Sequence, residues 1–280
     1  MFDYCKKLTT LAKELDSSRI IACANMNQVE IANPLNSITD AVGQNLYFGW
    51  YYGKMQDYKT YLDEFHSQNP NMPIGISEYG VDCNLHFHTE TPTVRDYSEE
   101  FQALFHETVY PILESKTYLW GSFIWNMFDF GSAIRNEGDI KHKNCKGLVT
   151  YDRKIKKDAF YYYKARWSNE PFVHITGKRF QKRNAAQITI KIYSNLPQVT
   201  LLINGKQTLS KTPQQPGVFL FPDIDLITDG QTKIQAIAEN CTDNAVFVYT
   251  DIPEESYIYH DTNKGQNVRN WFIKETSNND

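Results

Sequence analysis

From Phe2 to Leu15 apolar side chains recur at Cys5, Leu8, Leu11, Ala12 and Leu15, the spacing of one helix face, and Asp16 with Ser17 closes the run. Short apolar stretches then alternate with longer amphipathic ones. RIIACA (19–24), NLYFGWY (45–51), PIGISE (73–78) and YLWGSFIWNMF (118–128) read as buried strands. MQDYKTYLDEFH (55–66), RDYSEEFQALFHETVYPILES (95–115) and KKDAFYYYKARW (156–167) read as helices. Strand alternating with helix predicts a parallel α/β sheet. Four such units amount to half of a (β/α)8 TIM barrel. The long polar segments after the strands (25–45, 79–94, 129–155) favour that barrel over a small doubly wound sheet, because barrel active sites are built from the loops at that end.

After Trp167 the period changes to two. VHIT, AQITIKIYSN, QVTLLINGKQ, GVFLFPDIDL, TKIQAIAEN and AVFVYT are short alternating runs punctuated by turn formers such as Asn204-Gly205 and Asp229-Gly230. They predict an immunoglobulin-like β-sandwich of about 80 residues. The expected organisation is a half-barrel over 1–168, the sandwich over 169–250, and a polar, turn-rich linker or tail over 251–280.

Composition narrows the function classes. A 280-residue chain with a formal charge of −4 suits two domains and gives no reason to expect a nucleic-acid partner. No apolar run approaches the roughly 18 residues of a membrane span, so no membrane partner is expected either. The N-terminal MFDYCKKLTTLAKELDSS carries charges where an export signal needs an apolar core, and the five cysteines (Cys5, Cys23, Cys83, Cys145, Cys241) are scattered, odd in number and without a CxxC pair. Free thiols in a reducing, cytoplasmic setting are the expectation, with no disulfide framework and no zinc site.

Candidate chemistry begins at Glu78, a carboxylate at the end of a strand that otherwise reads as buried on both faces. Such a group is either paired for structure, with Arg95 or Arg135 as partners, or kept ionised for chemistry. Tyr79 follows it and Gly80 comes next. Tyr47, Trp50 and Tyr51 end the second expected strand, while Trp125 and Phe128 flank Asn126 and Asp129 at the end of the fourth. Aromatic faces beside Asn and Asp are what a carbohydrate pocket needs, although strand alternation must send some of these rings into packing. His86 and His88 have metal-ligand spacing but no third candidate nearby, so they read as polar rim residues. KHKNCK (141–146) reads as a solvated basic loop.

Several of these stretches together resemble the later part of glycoside hydrolase family 2 enzymes, in the form of the bacterial β-galactosidases. They are TDAVGQNLYFGWY (39–51), IGISEYGVD (74–82), YSEEFQALFHETVY (97–110), LWGSFIWNMFDF (119–130) and NCKGLVTYDRKIKKDAFYYYKARW (144–167), with EPFVHITGKR and VTLLINGK continuing into the sandwich. The resemblance implies strands five to eight of the barrel and a retaining exo-β-glycosidase acting on terminal β-galactosides. A β-glucuronidase of the same family is the nearest alternative, and a non-catalytic carbohydrate-binding fragment is the alternative from another class. Glu78 matches the family's nucleophile. Tyr47 and Tyr79 match active-site phenols, Trp125 the wall of the sugar site, and Asn144 and Lys146 a loop pair directed at the sugar; Asn45 and Asp129 match less distinctive substrate-binding positions. Asn-x-Lys is also the arrangement that glucuronidases use for a uronic carboxylate. No Asn-Glu pair follows an apolar strand, so the acid/base Glu is expected upstream of this chain. No cofactor is expected within the chain; a magnesium ion, if one takes part, is held upstream. A half-barrel with open edges is expected to self-associate when isolated.

Overall fold

The computed structural model describes residues 1–261, apart from the side chains of Gln207 and Thr208. The described residues divide into two compact units, one formed by 1–81 and 105–127, the other by 82–104 and 128–261.

The first unit carries α1 (Phe2–Leu15), β1 (Ala22–Met26), β2 (Ala41–Asn45), α2 (Asp57–Gln68), β3 (Ile74–Tyr79), the latter part of α3 (Glu99–Glu114) and β4 (Leu119–Ile124). The four strands form one parallel sheet in the order β1-β2-β3-β4, as the alternation of strand and helix predicts. Ile74 and Ile76 of β3 and Val42 of β2 are fully buried, and α2 turns Tyr58, Leu62 and Phe65 inward at helical spacing. Burial of this kind is worth roughly 1.5–3 kcal/mol per large apolar side chain.

Three boundaries differ from expectation. The second strand is AVGQN, not NLYFGWY: its first four residues are all buried, so it shows no alternation, and the aromatic run folds instead as a turn in which Trp50 and Tyr51 N–H both donate to the Tyr47 carbonyl. The first strand begins three residues later than expected, and the fourth ends at Ile124.

In the second unit, residues expected to be loop form an antiparallel hairpin, β5 (Phe130–Glu137) and β6 (Ile140–Asn144). Gly138 and Asp139 both have positive φ, 61° and 60°, which is the twist a two-residue hairpin turn requires. α4 (Asp158–Trp167) follows, then β7 (Val173–Ile175), β8 (Lys182–Arg183), β9 (Gln187–Ser194), β10 (Val199–Ile203), β11 (Lys206–Lys211), β12 (Val218–Asp225), β13 (Gln231–Ala238) and β14 (Cys241–Tyr249). These strands make two sheets, β11-β10-β13-β14-β8 and β12-β9-β7. Ile188, Ile190 and Ile192 of β9 share one core with Leu201, Phe219, Phe221, Ile234 and Phe247.

The compact units do not divide at residue 168. The Asp158 N–H donates to Glu99 Oε1 at 2.8 Å, His174 Nε2 lies 2.8 Å from Asp158 Oδ1, and Arg179 Nε donates to Glu99 Oε2 at 2.7 Å, so helices α3 and α4 are tied to the chain around β7. Of the expected tail, residues 251–261 are described. The Tyr257 carbonyl accepts from His88 N–H at 2.9 Å, and the Tyr259 ring lies 4.7 Å from that of Tyr97. Residues 262–280 lie outside the described residues. No helix among the described residues is long and apolar enough to cross a membrane.

Sheet packing in the first unit leaves no space at Gly75, where an added Cβ would fall 2.4 Å from the Trp120 ring. Trp120 cannot easily yield, since its Nε1 donates to the Val42 carbonyl at 3.2 Å. Gly75→Ala should therefore cost about 1–3 kcal/mol, read as a lower urea midpoint. Gly131→Ala, with nothing within 4 Å of the new methyl, should leave the midpoint nearly unchanged.

Candidate active site

β3 is bulged at its carboxyl end. Gln44 pairs with Ile76 but Asn45 pairs with Glu78, so β3 holds one residue more than β2 over this interval. A bulge re-aims side chains, and this one lets Tyr79 join Ile74 and Ile76 as a fully buried residue while Ser77 and Glu78 stay half-buried. The sequence places Tyr79 beside the carboxylate as an active-site phenol; its side chain is fully buried. Its ring faces His106 edge-on at 5.9 Å, and burial pushes that imidazole down to about 3, which keeps it neutral in the core.

Tyr47 does meet Glu78. Its Oη donates to Glu78 Oε2 at 2.7 Å. Burial first, and the neighbouring Glu78 charge second, push the Tyr47 phenol well above its ordinary value, so it remains a proton donor at neutral pH. The turn that presents it is braced by Tyr52, whose Oη accepts from Tyr47 N–H at 2.9 Å. Asn45 lies opposite Glu78 across the strands, and its Oδ1 accepts from Ser77 Oγ at 2.6 Å. Leu46 N–H closes the pairing on the Glu78 carbonyl at 2.9 Å. Trp125 follows β4 directly, half-buried, and its N–H donates to the Tyr79 carbonyl at 2.8 Å. Only glycine fits at position 80, because a Cβ there would sit 2.2 Å from the Trp125 carbonyl oxygen.

The second unit holds the remaining candidates. Asn144 ends β6, and its Oδ1 accepts the Lys146 N–H at 3.0 Å. Lys146 is only 1% exposed, and its ammonium is bonded to Asp82, whose Oδ2 also accepts from Arg135 Nη2 at 2.9 Å. Arg135 in turn lies 3.1 Å from Glu137 Oε2. Burial alone would raise the Asp82 carboxyl, but Lys146 and Arg135 hold it below the ordinary carboxylate range. Asp129, 5% exposed, accepts from Lys157 Nζ at 3.0 Å and from Gly147 N–H at 2.9 Å through Oδ1. Its own carboxyl is pushed up by burial in spite of Lys157.

Asp82 was not singled out from the sequence, and Arg135 entered only as a structural partner for Glu78. The available signal was weak. Asp82 follows the strand by three residues, and Arg135 with Glu137 stands in what reads as loop. His88, a rim residue by sequence, is buried against the Phe180 ring with Nδ1 3.0 Å from Glu100 Oε1. Among the described residues no group of three or more His, Cys, Asp or Glu side chains could hold a metal ion.

A phenol-bonded carboxylate at the carboxyl end of a parallel strand, in this order of elements, agrees with a family comparison. The model for the TIM barrel domain of glycosyl hydrolases family 2 matches residues 2–170. The chain belongs to glycosyl hydrolase family 2. A β-glucuronidase of Bacteroides fragilis is 37% identical over 209 residues, covering 72% of this chain and 30% of the relative. Among solved structures, an FMN-binding β-glucuronidase from Facaelibacterium prausnitzii L2-6 superposes with a TM-score of 0.87 at 41% identity, over 92% of this chain and 40% of that one. A "putative β-galactosidase" from Bacteroides fragilis gives a TM-score of 0.81 at 31% identity, over 88% and 38%. The chain thus spans about three-tenths of the length of the first curated relative.

The Asp82 cluster predicts a pH signature. A carboxyl whose folded value is depressed contributes stability that is present above its unfolded value, near 3.9, and is lost as pH falls through the folded value. Asp82→Asn leaves Lys146 and Arg135 without their shared anion, and should lower stability at pH 7 by about 3–5 kcal/mol, measured by urea unfolding. The deficit should shrink under acid, where the native carboxyl is itself neutral.

Proposed function

We propose that this chain supplies the nucleophile and part of the sugar site of a retaining exo-β-glycosidase, and that the sugar is a β-glucuronide. The observation that carries the reading is the Tyr47–Glu78 hydrogen bond at the bulged end of β3. It leaves one carboxylate oxygen, Oε2, oriented by a permanent donor. In the first step a Glu78 oxygen lone pair forms a bond to the anomeric carbon as the bond to the aglycone oxygen breaks, and that oxygen takes a proton from a second carboxylic acid. In the second step the same residue, now a carboxylate, removes a proton from water, which displaces Glu78. Retaining enzymes hold the two carboxyl groups about 5–5.5 Å apart. The acid/base is assigned to the part of the relatives' length that this chain does not cover.

The sequence reading ranked galactosides ahead of glucuronides. Relatives named β-glucuronidase at 37% and 41% identity support the reverse order, and Asn144 with Lys146 supplies an amide and an ammonium suited to a uronic carboxylate. The galactoside reading keeps one specific support, the 31% identical structure with that name. The two sheets after α4 are read as the immunoglobulin-like domain that follows the barrel, with a structural part and no catalytic one.

Two outcomes are expected of the intact protein. A 2-deoxy-2-fluoro-β-glucuronide should leave a stable ester on Glu78, since fluorine slows both oxocarbenium-like steps; peptide mapping that finds the label on another residue overturns the assignment. Nitrophenyl β-glucuronide should be turned over faster than the galactoside. Lys146→Met should cost the glucuronide about 1.5–3 kcal/mol more in kcat/KM than it costs the galactoside. An equal loss on both substrates would make Lys146 a purely structural partner of Asp82.

A further inference from the structure

Asp129 is bonded through one oxygen only. Its Oδ1 receives both Lys157 Nζ and Gly147 N–H, while Oδ2 accepts no hydrogen bond among the described residues. Lys157 is itself fully engaged, since the same ammonium also donates to the Cys145 carbonyl at 2.9 Å and reaches the Cys83 carbonyl at 3.4 Å. Oδ2 is not sealed off with the rest of this largely buried residue, so the oxygen left over is an acceptor that a solute can reach. Asp129 lines a cavity of about 350 Å³ whose walls come wholly from the second unit. That volume falls at the lower end of small-molecule sites, roughly 300–1,000 Å³.

The rest of the lining identifies the ligand class. Ile140 and Ile155 are apolar, Tyr151 offers a ring that is 56% exposed, and Thr150 and Lys143 supply polar groups, with Lys143 Nζ lying 5.3 Å from the Tyr151 ring centroid. An aromatic ring for a C–H face and a carboxylate for hydroxyl donors is the chemistry of a pyranose. Charges in and directly beneath the lining balance, Lys143 and Lys157 against Asp129 and Asp152, which favours a neutral ligand over an ion. Resemblance to the family placed Asp129 among substrate-binding residues, and it is also part of this cavity's wall.

We propose that this cavity is a binding site for one neutral pyranose unit, with Asp129 Oδ2 accepting a sugar hydroxyl and Tyr151 carrying its apolar face. The site does not depend on the proposed reaction. The probe is methyl α-D-glucopyranoside, which lacks both a carboxylate and the β-linkage of the proposed substrate. Saturation-transfer NMR on the intact protein should show saturable, millimolar-range binding. Asp129→Asn, which presents an amide donor in place of the acceptor, and Tyr151→Ala, at an exposed position, should each weaken it about tenfold or more. If Asp129→Asn fails to fold, Tyr151→Ala decides alone. Glu78→Gln should leave binding unchanged. The proposal is overturned if the native protein shows no saturable binding, if Tyr151→Ala binds as the native protein does, or if Glu78→Gln abolishes binding.

Discussion

The second unit depends on how it neutralises two carboxylates buried side by side. Glu99 opens α3 and Asp158 opens α4, and both have almost no exposure. Burial, and then the proximity of Asp158, push the Glu99 carboxyl up, whereas His174 and Arg179 overcome burial and hold Asp158 down at about 2. Arg179 contacts both anions, and Gly177 N–H gives Asp158 a further donor at 2.6 Å. A network like this need not be more stabilising than packed apolar residues would be, but removing one member leaves a charge stranded. It therefore fixes, within the second unit, the first turns of two helices against the start of an all-β segment. The same logic recurs at Asp82 with Lys146 and Arg135, and at Asp129 with Lys157.

What the sequence disclosed follows from where periodicity survives. α2, α4, β3 and the alternating strands β9, β10, β12, β13 and β14 have one buried face or a bounded apolar run, and pattern alone finds them. β2 escaped because AVGQN is buried throughout and carries Gly and Gln, while the neighbouring aromatic run has stronger strand propensity yet folds as a turn. The β5–β6 hairpin escaped because its pairing is irregular between Gly131 and Asn136, and Gly138-Asp139 was its only mark. In the site, Glu78 and Tyr47 emerged from position and residue type. The burial of Tyr79 could not be read off, because a one-residue bulge, invisible in the letters, decides which way consecutive side chains face. Asp82 was hidden for a related reason: its importance lies in Lys146 and Arg135, more than fifty residues away.

The state of Lys146 bears on how a uronic acid would be recognised. Its ammonium already has a carboxylate partner in a buried setting, so an arriving sugar carboxylate would share or displace that contact and would not meet an unengaged cation. Arg135 remains on Asp82 in either case, and Glu137 on Arg135. Binding through such a chain exchanges one ion pair for another, and the sugar carboxylate gives up its water to enter it. A neutral galactoside gains nothing from the exchange, which is the physical basis for discrimination under the proposed function.

Glu78, Tyr47 and Asn45 are secured by main-chain pairing between adjacent strands of one sheet, while Asn144, Lys146 and Asp129 come from a hairpin and a loop in the other unit. Inheritance can act on the two separately. Substitutions that lengthen or retune the hairpin leave Glu78 and its phenol partner on an unaltered sheet, so under the proposed function new sugar preferences would arise by drift in one module while the other keeps the nucleophile.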